Sequence, residues 1–147
     1  MTRGFAGIGL DNPKCKMNVG SAIRACGVYN AQFLAVSGSR YKHAPTDTMK
    51  ASRHLPVFQV QDLREMVPEN CIPVAVDIVP KARSLFTYTH PKRAFYIFGA
   101  EDATLDERTL DWCREVIYIP TNRCMNLAAT VNVVLYDRMC KQVIKNL

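Results

Sequence analysis

Three short constellations in this chain bring together residue types that can do chemistry. The first is Asn18-Val19-Gly20-Ser21-Ala22-Ile23-Arg24-Ala25-Cys26-Gly27. On a helix, Gly20, Arg24 and Gly27 fall near one face at i, i+4 and i+7. Small residues there admit a second backbone or a phosphate, and Arg24 can grip a phosphate with both arms of its guanidinium. Two glycines inside a helix cost about 1 kcal/mol each relative to alanine, so the pattern calls for a compensating contact. A tight helix–helix contact beside a surface arginine would serve equally well. The second constellation is Phe98-Gly99-Ala100-Glu101-Asp102. A glycine at the carboxyl end of an apolar strand frees the backbone to touch a ligand, with Glu101 just beyond it. A plain β-to-α turn with solvated acids reads the same way. The third is Pro120–Asn126, where Thr121, Asn122, Arg123 and Asn126 crowd hydrogen-bonding groups onto one turn. Cys124 sits among them, beside Arg123 and near a helix start, which is a setting that can activate a thiol as a nucleophile. No histidine lies close in sequence to act as its base.

These residues need elements to hold them, and the hydropathy pattern supplies alternating strands and helices. Gly4–Leu10 is expected as a strand, broken by Asp11-Asn12-Pro13. Asn18 is expected to cap a helix running to about Tyr29. Gln32–Ser37 reads as a second strand, Gly38–Pro45 as a basic loop, and Thr46 or Asp47 as the start of a short helix to about Arg53. Leu55–Val60 reads as a brief strand, Gln61–Val67 as a helical turn or two stopped by Pro68, and Cys71–Val79 as a continuous apolar strand. Pro80–Thr89 is expected as loop or short helix, Ala94–Gly99 as a buried strand and Leu105–Cys113 as helix. Glu115–Ile119 is expected as a strand ended by Pro120, and Asn126 as the cap of a last helix to about Ile144. The interior strands are solid Val- and Ile-rich runs, which argues an α/β fold with a mostly parallel sheet covered by helices on both faces. No repeat, linker or low-complexity stretch interrupts residues 1–147, which read as one domain.

The charge is unevenly placed. All of the net charge of +6 sits in residues 1–54, where Arg3, Lys14, Lys16, Arg24, Arg40, Lys42, Lys50 and Arg53 face only Asp11 and Asp47. Residues 55–147 are neutral, with as many acids as bases. Such asymmetry fits a face for a polyanion, most simply nucleic acid, as well as a merely solvating surface. The six cysteines, at positions 15, 26, 71, 113, 124 and 140, show no C-x-x-C spacing and no histidine partners. They read as reduced, structural thiols, with no metal site. No apolar run approaches the length of a membrane span and no signal peptide is visible, so a soluble, cytoplasmic protein is expected.

In order and spacing, the three constellations resemble a known set. Asn-x-Gly-x-x-x-Arg near the N-terminus, Phe-Gly-x-Glu after a late strand, and Ile-Pro…Met-Asn-Leu…Val-Val-Leu-Tyr-Asp at the end are similar to the three motifs of the SpoU/TrmH branch of the SPOUT RNA methyltransferases. The resemblance spans roughly residues 5–140, and its shape is most similar to the small members that 2'-O-methylate the tRNA wobble nucleotide. It implies an α/β sheet whose C-terminal part is tied in a trefoil knot. It implies S-adenosyl-L-methionine as cofactor, held mostly by backbone groups, with Val76, Gly99, Ile119, Cys124 and Met125 lining the pocket. It implies transfer of a methyl group to a ribose 2'-hydroxyl of RNA, most simply tRNA. Arg24 would be the main catalytic residue, and Asn18, Glu101 and Asn126 would order the site. It further implies a homodimer, with Arg24 of one subunit near the cofactor of the other. The absence of G-x-G-x-x-G speaks against an ordinary Rossmann methyltransferase or dehydrogenase.

Three positions depart from the family pattern. The turn after Pro120 is short and lacks a glycine, Cys124 stands where a serine is usual, and Thr104 stands where a glycine is usual. Two other readings therefore remain beside the enzyme: a catalytically silent RNA-binding dimer, and a hydrolase or redox protein that uses Cys124.

Overall fold

A computed structural model describes residues 4–41 and 55–147; the short helix expected after Thr46 lies outside them. The strands are β1 (Phe5–Asp11), β2 (Phe33–Ser37), β3 (Val57–Val60), β4 (Ile72–Val76), β5 (Arg83–Ser84), β6 (Arg93–Phe98) and β7 (Glu115–Tyr118). The helices are α1 (Lys16–Val28), α2 (Glu107–Trp112) and α3 (Leu127–Lys145), joined by single 3-10 turns at Leu63–Met66 and Leu85–Thr87. The strands form one sheet in the order β3-β2-β1-β6-β4-β7-β5. Every pairing among the described residues is parallel. The expected α/β architecture is therefore present, and the sheet is more uniformly parallel than the sequence suggested.

Both faces are covered, which explains the solid apolar strands. Ile8, Leu10, Leu34, Val36, Val74, Val76, Tyr96 and Phe98 turn to one face, where they pack with Val19, Ala22, Ile23 and Cys26 of α1 and Leu127, Val131, Val134 and Leu135 of α3. The alternate residues Phe33, Ala35, Ala75, Phe95, Ile97 and Val116 turn to the other face, against Leu63, Leu105 and Leu110. The weak alternation of β1 has a spatial cause. A Cβ on Gly7 would lie 2.4 Å from the Phe33 ring and one on Gly9 would lie 2.9 Å from the Phe95 ring. The two aromatic rings, with centroids 5.3 Å apart, fill the volume those glycines vacate.

Several boundaries shift. The apolar run expected as a strand over Cys71–Val79 is a strand only over Ile72–Val76, because the Asp77 side chain bonds the Ile78 amide in place of a ladder partner. The strand expected over Leu55–Val60 begins at Val57. Pro80–Thr89 contains β5, too short to leave a period in the sequence. Cys26, Cys71 and Cys113 are buried, and burial pushes the Cys26 and Cys113 thiols up to about 12. Thiols so poised stay protonated and behave as small apolar groups.

A polar network anchors α3 at the amino ends of the strands. Arg138 is 6% exposed and donates to the carbonyls of Pro91, Lys92 and Phe5 and to Tyr96 Oη. The Asp137 carboxylate can only accept, so a neutral His90 donates to it from Nε2 and at Nδ1 accepts the proton of Tyr96 Oη, 2.7 Å away. Nε2 faces Asp137 at 2.7 Å, with Lys141 on the same carboxylate at 2.8 Å. The edge of the Tyr88 ring packs on the imidazole.

Burial lowers the His90 pKa, opposed by the hydrogen bond and charge of Asp137 and reinforced by Lys141 and Arg138. The unfolded chain thus takes up the proton at a higher pH than the folded one. The stability this site contributes is complete above the ordinary histidine pKa of about 6.5 and is lost as pH falls through the lower folded value. Melting temperature is expected to decline from pH 7 to pH 5 in the wild type. His90→Gln, whose amide can replace both ring contacts, is expected to flatten that decline; an equally steep profile would place the acid sensitivity elsewhere.

Candidate active site

The loops after β4, β6 and β7 meet at the carboxyl end of the sheet and enclose a cavity of about 490 Å³. Val76, Asp77 and Ile78 contribute from β4, Phe98–Thr104 from β6, and Tyr118, Ile119, Thr121, Cys124, Met125, Leu127 and Thr130 from the β7–α3 passage. Asp77 ties two of these walls together, accepting from the Ile78 amide at 2.8 Å and the Leu105 amide at 2.9 Å. A Cβ at Gly99 would stand 3.1 Å from the Ala103 carbonyl and 3.3 Å from the Leu105 amide. Gly99 therefore lets its own loop fold back on itself, a local reason beside the open ligand approach read from the sequence.

Glu101 is the hub of the site. Its carboxylate accepts from the backbone amides of Lys14 and Cys15, both at 2.9 Å, and from Asn18 Nδ2 at 2.8 Å. Asn18 Oδ1 accepts from Asn126 Nδ2 at 2.9 Å, and Asn126 Oδ1 accepts from the Ala129 amide at 3.1 Å. Each amide must donate at one end and accept at the other, so the chain has a single polarity from Ala129 to Glu101.

Asn126 caps α3 as expected. Asn18 does not cap α1: Cys15 holds that position without a side-chain bond, and Asn18 is already inside the first turn. Its amide is drawn instead to Glu101 and Asn126. The first turn of α1 has no acid of its own, and Glu101 brings the negative charge that its exposed amides favour. Partial burial raises the Glu101 pKa, but the bonds from Lys14, Asn18, its own backbone and Cys15 outweigh it, so the carboxyl lies below its ordinary value.

The structure thus brings Asn18, Glu101 and Asn126 into one hydrogen-bonded chain. It places Val76, Gly99, Ile119, Cys124 and Met125 on the wall of one cavity. Arg24 is not brought there. It lies six residues beyond Asn18 on α1, exposed, with no hydrogen bond or ion pair among the described residues and no part in the cavity lining. The contact expected to compensate Gly20 and Gly27 is not made among the described residues, where a Cβ at either would have nothing within 4 Å. Cys124 is exposed on the cavity wall. His90, the one histidine among the described residues, is committed to Tyr96 and Asp137 at the other end of the sheet, so no described histidine is at hand for a nucleophilic thiol.

Sequence reasoning missed two participants. Asp77 had a signal, an acid directly after the apolar run Pro73–Val76. The pair of Arg40 and Asp102, joined at 2.9 and 3.0 Å across 62 positions, had none. Their mutual hydrogen bond is the leading cause that raises the Arg40 pKa and lowers that of Asp102.

A parallel sheet with a cavity built from loops at its carboxyl edge is the ligand-binding arrangement of open α/β proteins. Among these the chain belongs to the SpoU rRNA Methylase family, whose model matches residues 6–136. It is similar in fold to the TrmH/SpoU tRNA modifying enzyme of A. aeolicus, at 16% identity and TM-score 0.83, over 98% of this chain and 78% of that one. It is similar to the SpoU methyltransferase AviRb of Streptomyces viridochromogenes, solved in complex with AdoMet, at 19% identity and TM-score 0.84, over 97% of this chain. It spans only 60% of the AviRb chain. A third similar structure, solved in work on the 2-OH methylation of C/U34 on tRNA, is 19% identical at TM-score 0.80, over 95% of this chain and 97% of that one. No curated protein matches the chain closely enough to count as a relative. Among the described residues, no helix is long and apolar enough to cross a membrane.

Proposed function

We propose that the chain transfers the methyl group of S-adenosylmethionine to a ribose 2'-hydroxyl of RNA, with tRNA as the substrate class. The observation that carries this reading is the cavity on which the second and third family motifs converge, with the first motif's Asn18 hydrogen-bonded to its edge. Its volume lies in the range of about 300–1,000 Å³ usual for small-ligand sites. The residues present suit the cofactor: Val76, Ile78, Ile119 and Leu127 offer apolar walls to a flat heterocycle, and Glu101 brings negative charge toward a ligand with ammonium and sulfonium centres. When bound, S-adenosylmethionine supplies an electrophilic methyl group.

The chain's own residues supply the rest. Glu101, Asn18 and Asn126 fix the end of α1 against the cavity, so that any group α1 carries is placed relative to the methyl donor. Arg24 holds the phosphate beside the target ribose and by its charge eases loss of the 2'-hydroxyl proton to solvent.

Arg24 lies outside the cavity of its own chain, which supports a homodimer in which it reaches the cavity of the partner. The open surfaces at Gly20 and Gly27 and the exposed Val28, Tyr136, Met139 and Val143 support the same assembly. The passage of three loops round one cavity supports the knot that the resemblance implies. The match over nearly the full length of a structure concerned with C/U34 of tRNA supports the wobble nucleotide as target.

Calorimetry tests the reading: the wild type is expected to bind S-adenosylmethionine and S-adenosylhomocysteine at micromolar strength. Salt-dependent tRNA binding with no cofactor binding would favour the silent RNA binder instead.

A further inference from the structure

Arg40 leaves the carboxyl end of β2, crosses the end of β1 and reaches the loop after β6, three adjacent strands of the sheet. On the way its Nε and Nη2 donate to the Asn12 carbonyl, at 3.3 and 2.7 Å. At the far side Nη1 and Nη2 grip both oxygens of Asp102. The backbone is shaped for this crossing. Asn12 takes a left-handed φ of 52°, and Gly38 takes a φ of 90°. A Cβ on Gly38 would lie 2.1 Å from Asn12 Oδ1, so only glycine lets the β2 loop pass so close to Asn12.

Asp102 sits on the wall of the cavity, next to Glu101, whereas Arg40 has no part in the lining. Both partners are substantially exposed, and exposed ion pairs add little to folding stability. A fork-to-fork pair is valuable for the geometry it fixes. Glu101 already pins the cavity loop to Lys14, Cys15 and Asn18 at the start of α1, and Asp77 pins its end at Leu105; Arg40 is a third restraint, reaching the loop from beyond β2.

We propose that Arg40 is a positioning residue that completes the methyl-donor cavity: by holding Asp102 and the Asn12 carbonyl together it sets the 99–105 wall, and with it cofactor affinity, without touching the cofactor. The inference rests on the proposed function above. It predicts that the effect travels through one pair, so the two side chains are energetically coupled.

The test is calorimetric titration of S-adenosylmethionine into the wild type, Arg40→Ala, Asp102→Ala, the double variant, and the charge-exchanged Arg40→Asp/Asp102→Arg, with melting temperatures alongside. Each single change is expected to raise Kd roughly 3- to 10-fold, the double change no more than either alone, and the exchanged pair to recover part of the loss. Arg40→Lys, which keeps the charge but not the fork, is expected to fall between wild type and alanine and guards against misfolding of the others. Melting temperatures are expected to stay near that of the wild type. Unchanged Kd in Arg40→Ala, with a raised KM for RNA or without it, overturns the inference while leaving the proposed function intact. A wild type that binds no cofactor overturns that function and this inference with it.

Discussion

Replacing Arg24 with alanine is expected to lower methyl transfer by roughly 10²- to 10⁴-fold, the range that a residue assisting proton removal contributes. Affinity for S-adenosylmethionine and melting temperature are expected to stay near wild type. The reason is structural: Arg24 is exposed, makes no hydrogen bond or ion pair among the described residues, and lines no part of its own chain's cavity, so its removal takes no contact from the core or from that cavity, and across the proposed dimer it faces the RNA phosphate rather than the methyl donor. Its effect belongs to RNA and the transition state. Arg24→Lys retains the charge but loses the planar fork and is expected to recover only a small part of the rate. Single-turnover assays with saturating RNA, paired with cofactor calorimetry, check this. An Arg24→Ala protein that methylates within a few-fold of wild type would remove the arginine from the mechanism.

Glu101 is expected to give the second large effect, with a different signature. Its carboxylate accepts from the Lys14 and Cys15 amides and from Asn18, and through Asn18 it reaches Asn126. Glu101→Gln keeps the size but turns one acceptor oxygen into a donor, which faces groups that themselves donate. The end of α1 is then released from the cavity wall. Turnover is expected to fall roughly 10²-fold, as when a preorganised polar contact is lost from an active site, and cofactor affinity is expected to weaken as well. Because hydrogen bonding holds the wild-type carboxyl below its ordinary pKa, the network stays ionised across mildly acid conditions. The Glu101→Gln deficit is therefore expected to be constant from pH 6 to pH 8. Pairing the defect in kcat with the defect in cofactor Kd separates Glu101, which moves both, from Arg24, which moves only the first.

The two residues differ in how far the sequence revealed them. Phe-Gly-x-Glu marked Glu101 because a glycine and an acid closing an apolar strand are visible as a local pattern, and the alternating apolar runs revealed the parallel sheet for the same reason. The partners of Glu101 are not visible in the sequence, since Lys14, Cys15 and Asn18 lie far from it along the chain and meet it only when the sheet forms. Asn18 reads as a cap in the sequence because a cap and a tertiary hydrogen bond use the same side-chain type; Cys15 caps without a side-chain bond and so leaves no trace. The Arg40–Asp102 pair is a matter of strand order, which residue types do not encode locally. β5, two residues long, is held by its pairing to β7 and carries no period of its own.

The most direct measurement of the central claim is mass spectrometry of nucleosides from tRNA incubated with the protein and S-adenosylmethionine carrying a deuterated methyl group. The account predicts the label in one 2'-O-methylated nucleoside, present with wild type and nearly absent with Arg24→Ala. Label on a base, or no label from a protein that binds the cofactor, would contradict it.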